Sequence, residues 1–272
     1  MSPASIQDEH DSDEDVEFED VPVSCNRDRQ DGDMSIVLPV TPHPPWNPTL
    51  SLPPQRAQPI PSGSMEETQL RGQISAGIER VTYRKMKSDM GMDAPGTPTS
   101  ERRYESFKEL AADVEGLVDM LWASATPAIQ TEALITLAGL TQTSLPAFPF
   151  EAQPTLSILH KLDSVFAALC TGTHPVDGLV LPGAQPGQSL ATETQKVRIR
   201  SLAERTRYEV FSCLGRSSGK VADGDGWDEE DSGDEVDEPW MLEATRVYEK
   251  CLMLLAEQDP EGESEGMEFN CL

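Results

Sequence analysis

Aromatic residues make up only 6% of this 272-residue chain and apolar residues 37%, well below the roughly 45–50% of ordinary globular sequences. That shortage excludes a core running the whole length. The apolar material suffices for one body of roughly 100–150 residues. No apolar run approaches the ~18 residues of a membrane-spanning helix, so no membrane role is expected. Basic residues are scarce too: 21 Lys and Arg stand against 48 Asp and Glu, a net charge of −27. Phosphate repels such a chain, which argues against nucleic-acid binding through its acidic parts. Histidine occurs four times, at His10, His43, His160 and His174. None sits in a local nucleophile signature, so no catalytic residue is nominated and the chain is read as a non-enzyme.

The cysteines are Cys25, Cys170, Cys213, Cys251 and Cys271. The number is odd, the spacings are wide, and no C-x-x-C pair with metal-ligand spacing occurs. Buried free thiols in a reducing compartment are the expectation. Cys271 stands second from the end, so the prenylation box is missing. The acidic N-terminal stretch has no leader pattern, and a nuclear or cytoplasmic, non-secreted protein is expected. Two further motifs fail on spacing. Gly215-Arg216-Ser217-Ser218-Gly219-Lys220-Val221 has three residues between its glycines and valine after the lysine, where a phosphate loop needs four and a Ser or Thr. The acids from Asp223 onward lack the glycine register of a calcium loop. No cofactor, no metal and no small-molecule substrate is expected.

What the chain has in excess is localised. Residues 1–33 hold twelve Asp/Glu against two Arg, residues 223–238 hold ten and residues 257–272 six, with no base in the last two. These segments carry 26 of the 27 net negative charges, so the remaining body is almost neutral. Like-charge clusters resist compaction and favour basic protein surfaces. Residues 1–100 also hold 13 of the 22 prolines and are expected to be disordered. Pro39, Pro42, Pro45 and Pro48 line one edge of a polyproline II helix, a stiff linker or a WW/SH3-type ligand. Within this region Leu70, Ile74, Ile78 and Val81 support a short helix over 65–88. Tyr83-Arg84-Lys85-Met86-Lys87 is a weak import-type run.

From residue 100 the period changes to three and four. Ser100 is the expected N-cap of a helix bearing Tyr104, Phe107, Leu110, Val114, Leu117, Leu121 and Trp122. Thr126-Pro127 starts a second helix, ended by Pro146 and Pro149. A third runs from about Pro154 to Cys170, with Gly172 as its terminal glycine. Leu179-Val180-Leu181, in the Gly/Pro-rich loop 173–191, could lie extended over the core. Thr192 caps a fourth helix, and Pro239 opens a fifth carrying Trp240, Ala244, Val247, Tyr248, Cys251, Leu252 and Leu255. The fold expected is all-α: a bundle of about five antiparallel helices over 100–258 with an acidic loop at 216–238, a long disordered acidic and Pro-rich N-terminal region, and an acidic disordered tail at 259–272. Short connections favour antiparallel neighbours.

Candidate binding residues follow from charge. Lys196, Arg198, Arg200, Arg205 and Arg207 are the strong basic cluster of the body. At about 100° per residue, Lys196, Arg200 and Arg207 share one face of the fourth helix and Arg198 and Arg205 another. Pairing with the chain's own acidic loop, with Asp228, Glu229, Glu230 and Asp231 at its centre, is the simplest reading. An acidic partner or nucleic acid are the alternatives. Ser12 and Ser232 suit an acidophilic kinase, and Thr41 and Thr97 a proline-directed one.

The runs Leu121-Trp122-Ala123-Ser124-Ala125-Thr126-Pro127-Ala128-Ile129-Gln130-Thr131, Leu159-His160-Lys161-Leu162-Asp163 and Lys196-Val197-Arg198-Ile199-Arg200-Ser201-Leu202 resemble a group of fungal helical proteins over about 100–215. That group is sometimes catalogued under a meiotic recombinase name. The resemblance implies no activity, and the nucleotide-binding motif of the recombinases is absent. The functional expectation is a non-enzymatic interaction or scaffold protein whose acidic segments favour basic partners. The alternative is a nucleic-acid-associated recombination or chromatin accessory factor using the fourth-helix bases.

Overall fold

A computed structural model of the chain describes residues 50–93, 96–217 and 238–257. Among these residues it is all-helical: α1 (Met65–Met90), α2 (Phe107–Ser124), α3 (Pro127–Ser144), α4 (Ala152–Thr171), α5 (Glu193–Ser217), α6 (Glu238–Thr245) and α7 (Glu249–Glu257), with short 3₁₀ turns at Thr99–Glu101 and Leu145–Ala147. The only strand-like pairing among the described residues is an isolated bridge between Thr173 and Val180. In that loop Leu181 is buried over the core, while Leu179 and Val180 stay exposed.

Helix α1 belongs to the packed body. Ser64 caps it by accepting from the Glu67 N–H at 3.1 Å, and Leu70, Ile74 and Val81 bury one face. Gly77 permits the close approach to α2, because a Cβ there would lie 2.4 Å from Leu117 Cδ2. The stretch ahead of α1 is tied down as well. The Arg56 N–H donates to Ala123 O at 3.1 Å, and the Ile60 N–H donates to Thr126 Oγ1 at 3.1 Å. It thus lies along the α2–α3 corner.

Proline at the first position opens α3 where Thr126-Pro127 predicts. The Thr126 hydroxyl, however, does not cap the helix. It donates to Ser124 O at 2.8 Å and accepts from Ile60. The start of α2 also differs from expectation. Ser100 lies in the 3₁₀ turn, and Ser106 is the cap, accepting from the Glu109 N–H at 3.4 Å. The cause is tertiary. Arg84 Nε donates to Arg102 O at 2.7 Å, and the Tyr104 N–H donates to Ser88 Oγ at 2.8 Å. Residues 102–104 are thereby held against α1 and cannot join a helix until Ser106.

The α4 helix is buried on nearly every face and sits at the centre, packed on α2, α3 and α7. Its Leu156, Leu159, Leu162, Phe166 and Leu169 are fully buried. It ends at Gly172, whose φ of 69° is left-handed and where a Cβ would meet Gln188 O at 2.1 Å. No other residue fits there. The expected fifth helix is two helices. The chain breaks between α6 and α7 at Tyr248, which takes φ 55° although it is not glycine. Such a conformation costs roughly 1–2 kcal/mol. Two features hold it. The Tyr248 ring is fully buried beside Phe166. The Asp163 carboxylate, on α4, accepts from the N–H groups of Cys251 at 2.9 Å and Lys250 at 3.2 Å. Asp163 therefore caps α7 from a different helix, where the free N–H groups and the helix dipole favour it.

Asp163→Ala leaves the buried N–H of Cys251 and the part-buried N–H of Lys250 unmet, so urea denaturation should show a loss of about 1–3 kcal/mol. Burial also holds the Asp163 carboxyl above its ordinary range, outweighing the backbone hydrogen bonds and Lys250. The folded chain then binds that proton more tightly than the unfolded one, so the stability of wild type relative to Asp163→Asn should be greatest in acid and decline as pH rises through the carboxyl's titration. Separately, Gly72, which has nothing within 4 Å of its Cβ position, should accept Ala with a gain of up to about 1 kcal/mol. Gly77→Ala should lose that gain through the displaced Leu117, leaving it at least about 1 kcal/mol less stable than Gly72→Ala in the same assay.

Candidate functional site

The basic cluster lies on α5. Thr192 caps this helix reciprocally with Gln195: Thr192 Oγ1 accepts from the Gln195 N–H at 3.3 Å, and Gln195 Oε1 accepts from the Thr192 N–H at 2.9 Å. The arrangement is a capping box. Ile199, Ala203, Thr206, Val210 and Cys213 form the buried face, which fixes where each base points. Lys196 is nearly buried and pairs with Glu193 at 2.9 Å. Arg200 lies 3.5 Å from Glu204. The Arg207 guanidinium donates to Thr245 O at 2.9 Å and so satisfies the end of α6.

Arg198 and Arg205, on the other face, line a groove of about 660 Å³ between α3 and α5. Its walls include Ile135, Gly139 and Leu140 on α3 and Val197 and Leu202 on α5. Arg198 pairs with Glu132 at 2.7 Å, and Gln195 Nε2 donates to the same carboxylate at 2.9 Å. Hydrogen bonds from Gln195 and then Arg198 hold the Glu132 carboxyl below the usual range. Arg205 is exposed and makes no ion pair among the described residues. The five bases thus divide between internal duties and one open groove.

Asp228, Glu229, Glu230, Asp231, Ser12, Ser232 and Thr41 lie outside the described residues. Thr97 lies half-buried ahead of the Thr99–Glu101 turn. The import-type run is largely engaged. Arg84 pairs with Asp113 at 2.6 Å and stacks 4.0 Å over the Tyr104 ring. Lys85 pairs with Asp89, and Lys87 donates to Glu101 O. Burial, then Asp113, pushes the Tyr104 phenol upward.

Sequence reading did not single out Asp163, Glu132 or Asp113, because each earns its place through residues far away in the chain. His160 sits 3.8 Å from Glu243, and burial lowers its pKa. His174 stacks on Trp122 with ring centroids 5.5 Å apart. Among the described residues no group of three or more His, Cys, Asp or Glu could hold a metal ion, and no helix is long and apolar enough to cross a membrane.

Cys170, Cys213 and Cys251 are buried free thiols. Burial pushes the Cys170 thiol up to about 11 and the Cys251 thiol well up. Since the thiolate is the reactive form, iodoacetamide at about pH 8 should modify Cys170 and Cys251 at least about tenfold more slowly in the native chain than after unfolding, read by peptide mass spectrometry.

No curated protein and no solved structure matches this chain. Residues 103–256 match TFB6, subunit 11 of the general transcription factor TFIIH. The match begins just before α2 and reaches the last turn of α7, so it takes in the central α4, the basic α5 and the α6–α7 break. It covers more than half of the sequence, and the chain belongs to the TFB6 family of TFIIH subunits.

Proposed function

We propose that the chain acts in the nucleus as a non-enzymatic interaction subunit of the general transcription factor. Its helical body provides the attachment, and its acidic segments draw in basic surfaces of partner proteins. The observation that carries this reading is the partition of charge within a family member of a multi-subunit factor. Nearly all the net charge lies in residues 1–33, 223–238 and 257–272, and the body between them is almost neutral. Complementary charge of this kind accelerates encounter and selects partners more than it deepens affinity. The engagement of Lys196, Arg198, Arg200 and Arg207 within the chain argues against a surface built for phosphate backbones.

The test is neutralisation of the acids of 223–237 to Asn and Gln in the full chain. Association with the assembled factor is then measured across a salt series. Affinity at low salt should fall at least about tenfold, and the salt dependence should flatten. Unchanged affinity would overturn the reading. So would salt-sensitive DNA binding that disappears in an Arg198/Arg200/Arg205 triple alanine variant.

A further inference from the structure

We infer that the groove between α3 and α5 is a docking site for an acidic amphipathic helix of a partner protein. This deepens the proposed function, on whose interaction role it rests, but it uses a surface of opposite charge to the acidic segments. The floor is apolar, with Ile135, Leu140 and Leu202, and the charged side chains of the lining are Arg198 and Arg205. No carboxylate lines it, since Glu132 is occupied by Arg198 and Gln195.

Along the groove α5 leaves apolar surface open. Val197, in the lining, is 68% exposed, and Tyr208, three residues beyond the last lining residue Arg205, is 71% exposed. Positions 197, 201, 205 and 208 recur at steps of four, four and three, so they form one stripe along the helix. The stripe is roughly 17 Å long, the length of a partner helix of about eleven residues.

Gly139 keeps the floor low. It costs its helix about 1 kcal/mol relative to Ala, and a Cβ there would meet only Leu202 Cδ1, at an ordinary 3.8 Å. The fold itself therefore does not require the glycine.

The chemistry of the groove selects its occupant. Apolar side chains at i, i+4 and i+7 of an amphipathic helix suit a helix-lined groove, whereas an extended strand would need a sheet edge and a polyproline segment an aromatic-lined groove, and no aromatic residue among those described lines this one. Arg205, without an acid of its own among the described residues, asks for a carboxylate on that helix. An apolar floor offers nothing to a nucleic-acid backbone.

The experiment places p-benzoylphenylalanine at Val197 of the full chain within the assembled factor and irradiates it. The adduct is mapped by mass spectrometry, and co-purification is read on the same sample. The expected adduct is a segment of another polypeptide with apolar residues at helical spacing and at least one Asp or Glu. Arg205→Glu should lower its yield at least about tenfold without lowering the unfolding temperature, and Gly139→Phe should abolish it by filling the floor. An adduct on residues 218–237 or 258–272 of the same chain, on a second copy, on nucleic acid or on a segment without acids would overturn the inference. So would the absence of an adduct while the chain still co-purifies. Loss of co-purification itself would instead overturn the interaction role on which the inference rests.

Discussion

Helix α4 is covered on nearly all sides, and the charged groups it buries, Lys161 and Asp163, must find partners inside the fold. Lys161, 5% exposed, sends its ammonium to α2. There it meets Glu115 at 2.8 Å in a hydrogen bond, and Asp119 at 2.7 Å as an ion pair without hydrogen-bond alignment. These two carboxylates stand four residues apart, so the pair reads the rotation of α2 about its axis. Asp163, 1% exposed, goes to the N–H groups of α7. Buried ion pairs often add little net stability. Their consequence here is register: α2 and α7 dock on α4 in the one arrangement that leaves neither charge alone. The Lys250 ammonium reinforces the α4–α7 junction by donating to Ser164 Oγ at 3.0 Å.

This constraint also explains which parts of the fold were legible in the sequence. Where a signal and its cause are neighbours in the chain, it reads correctly. Proline opens α3, Gly172 ends α4, and Thr192 with Gln195 starts α5. Where the cause is distant, it does not. The apolar period runs unbroken through Val247, Cys251 and Leu255, yet the helix breaks, because its second half is capped by a carboxylate 88 residues away. The period likewise ran forward of Ser106, but α1 had already claimed the backbone of Arg102 and Tyr104.

The same distinction applies to the surface. Charge counting found the five bases of α5 and divided them correctly between two faces. It did not find their fates, since Arg198 is held by a glutamate 66 residues away and Arg207 by a carbonyl 38 residues away. The openness of the α3–α5 groove was illegible for a related reason. Val197 and Tyr208 fall off the apolar face of α5 by the helical period, but only the placement of α3 shows that Val197 borders a groove.

The two kinds of recognition we propose act over different distances. Several charges of the helical body are paired within it, as at Arg84, Lys161 and Arg198. Residues 1–33, 223–238 and 257–272 carry nearly all the net charge, and beyond about 8 Å at physiological salt a charge is screened. Charge of that kind biases encounter more than it fixes a geometry. A geometry must come from a surface whose shape the core enforces, and in the body this requires apolar area that the fold leaves uncovered. Lone exposed apolar side chains are ordinary on any protein. Here Val197 stands beside a floor already made apolar by Ile135, Leu140 and Leu202, so burying it under a partner adds contact without removing any internal pair except that of Arg198. The groove therefore costs the isolated chain little, and the docking we infer would fill it with a helix lying along α5.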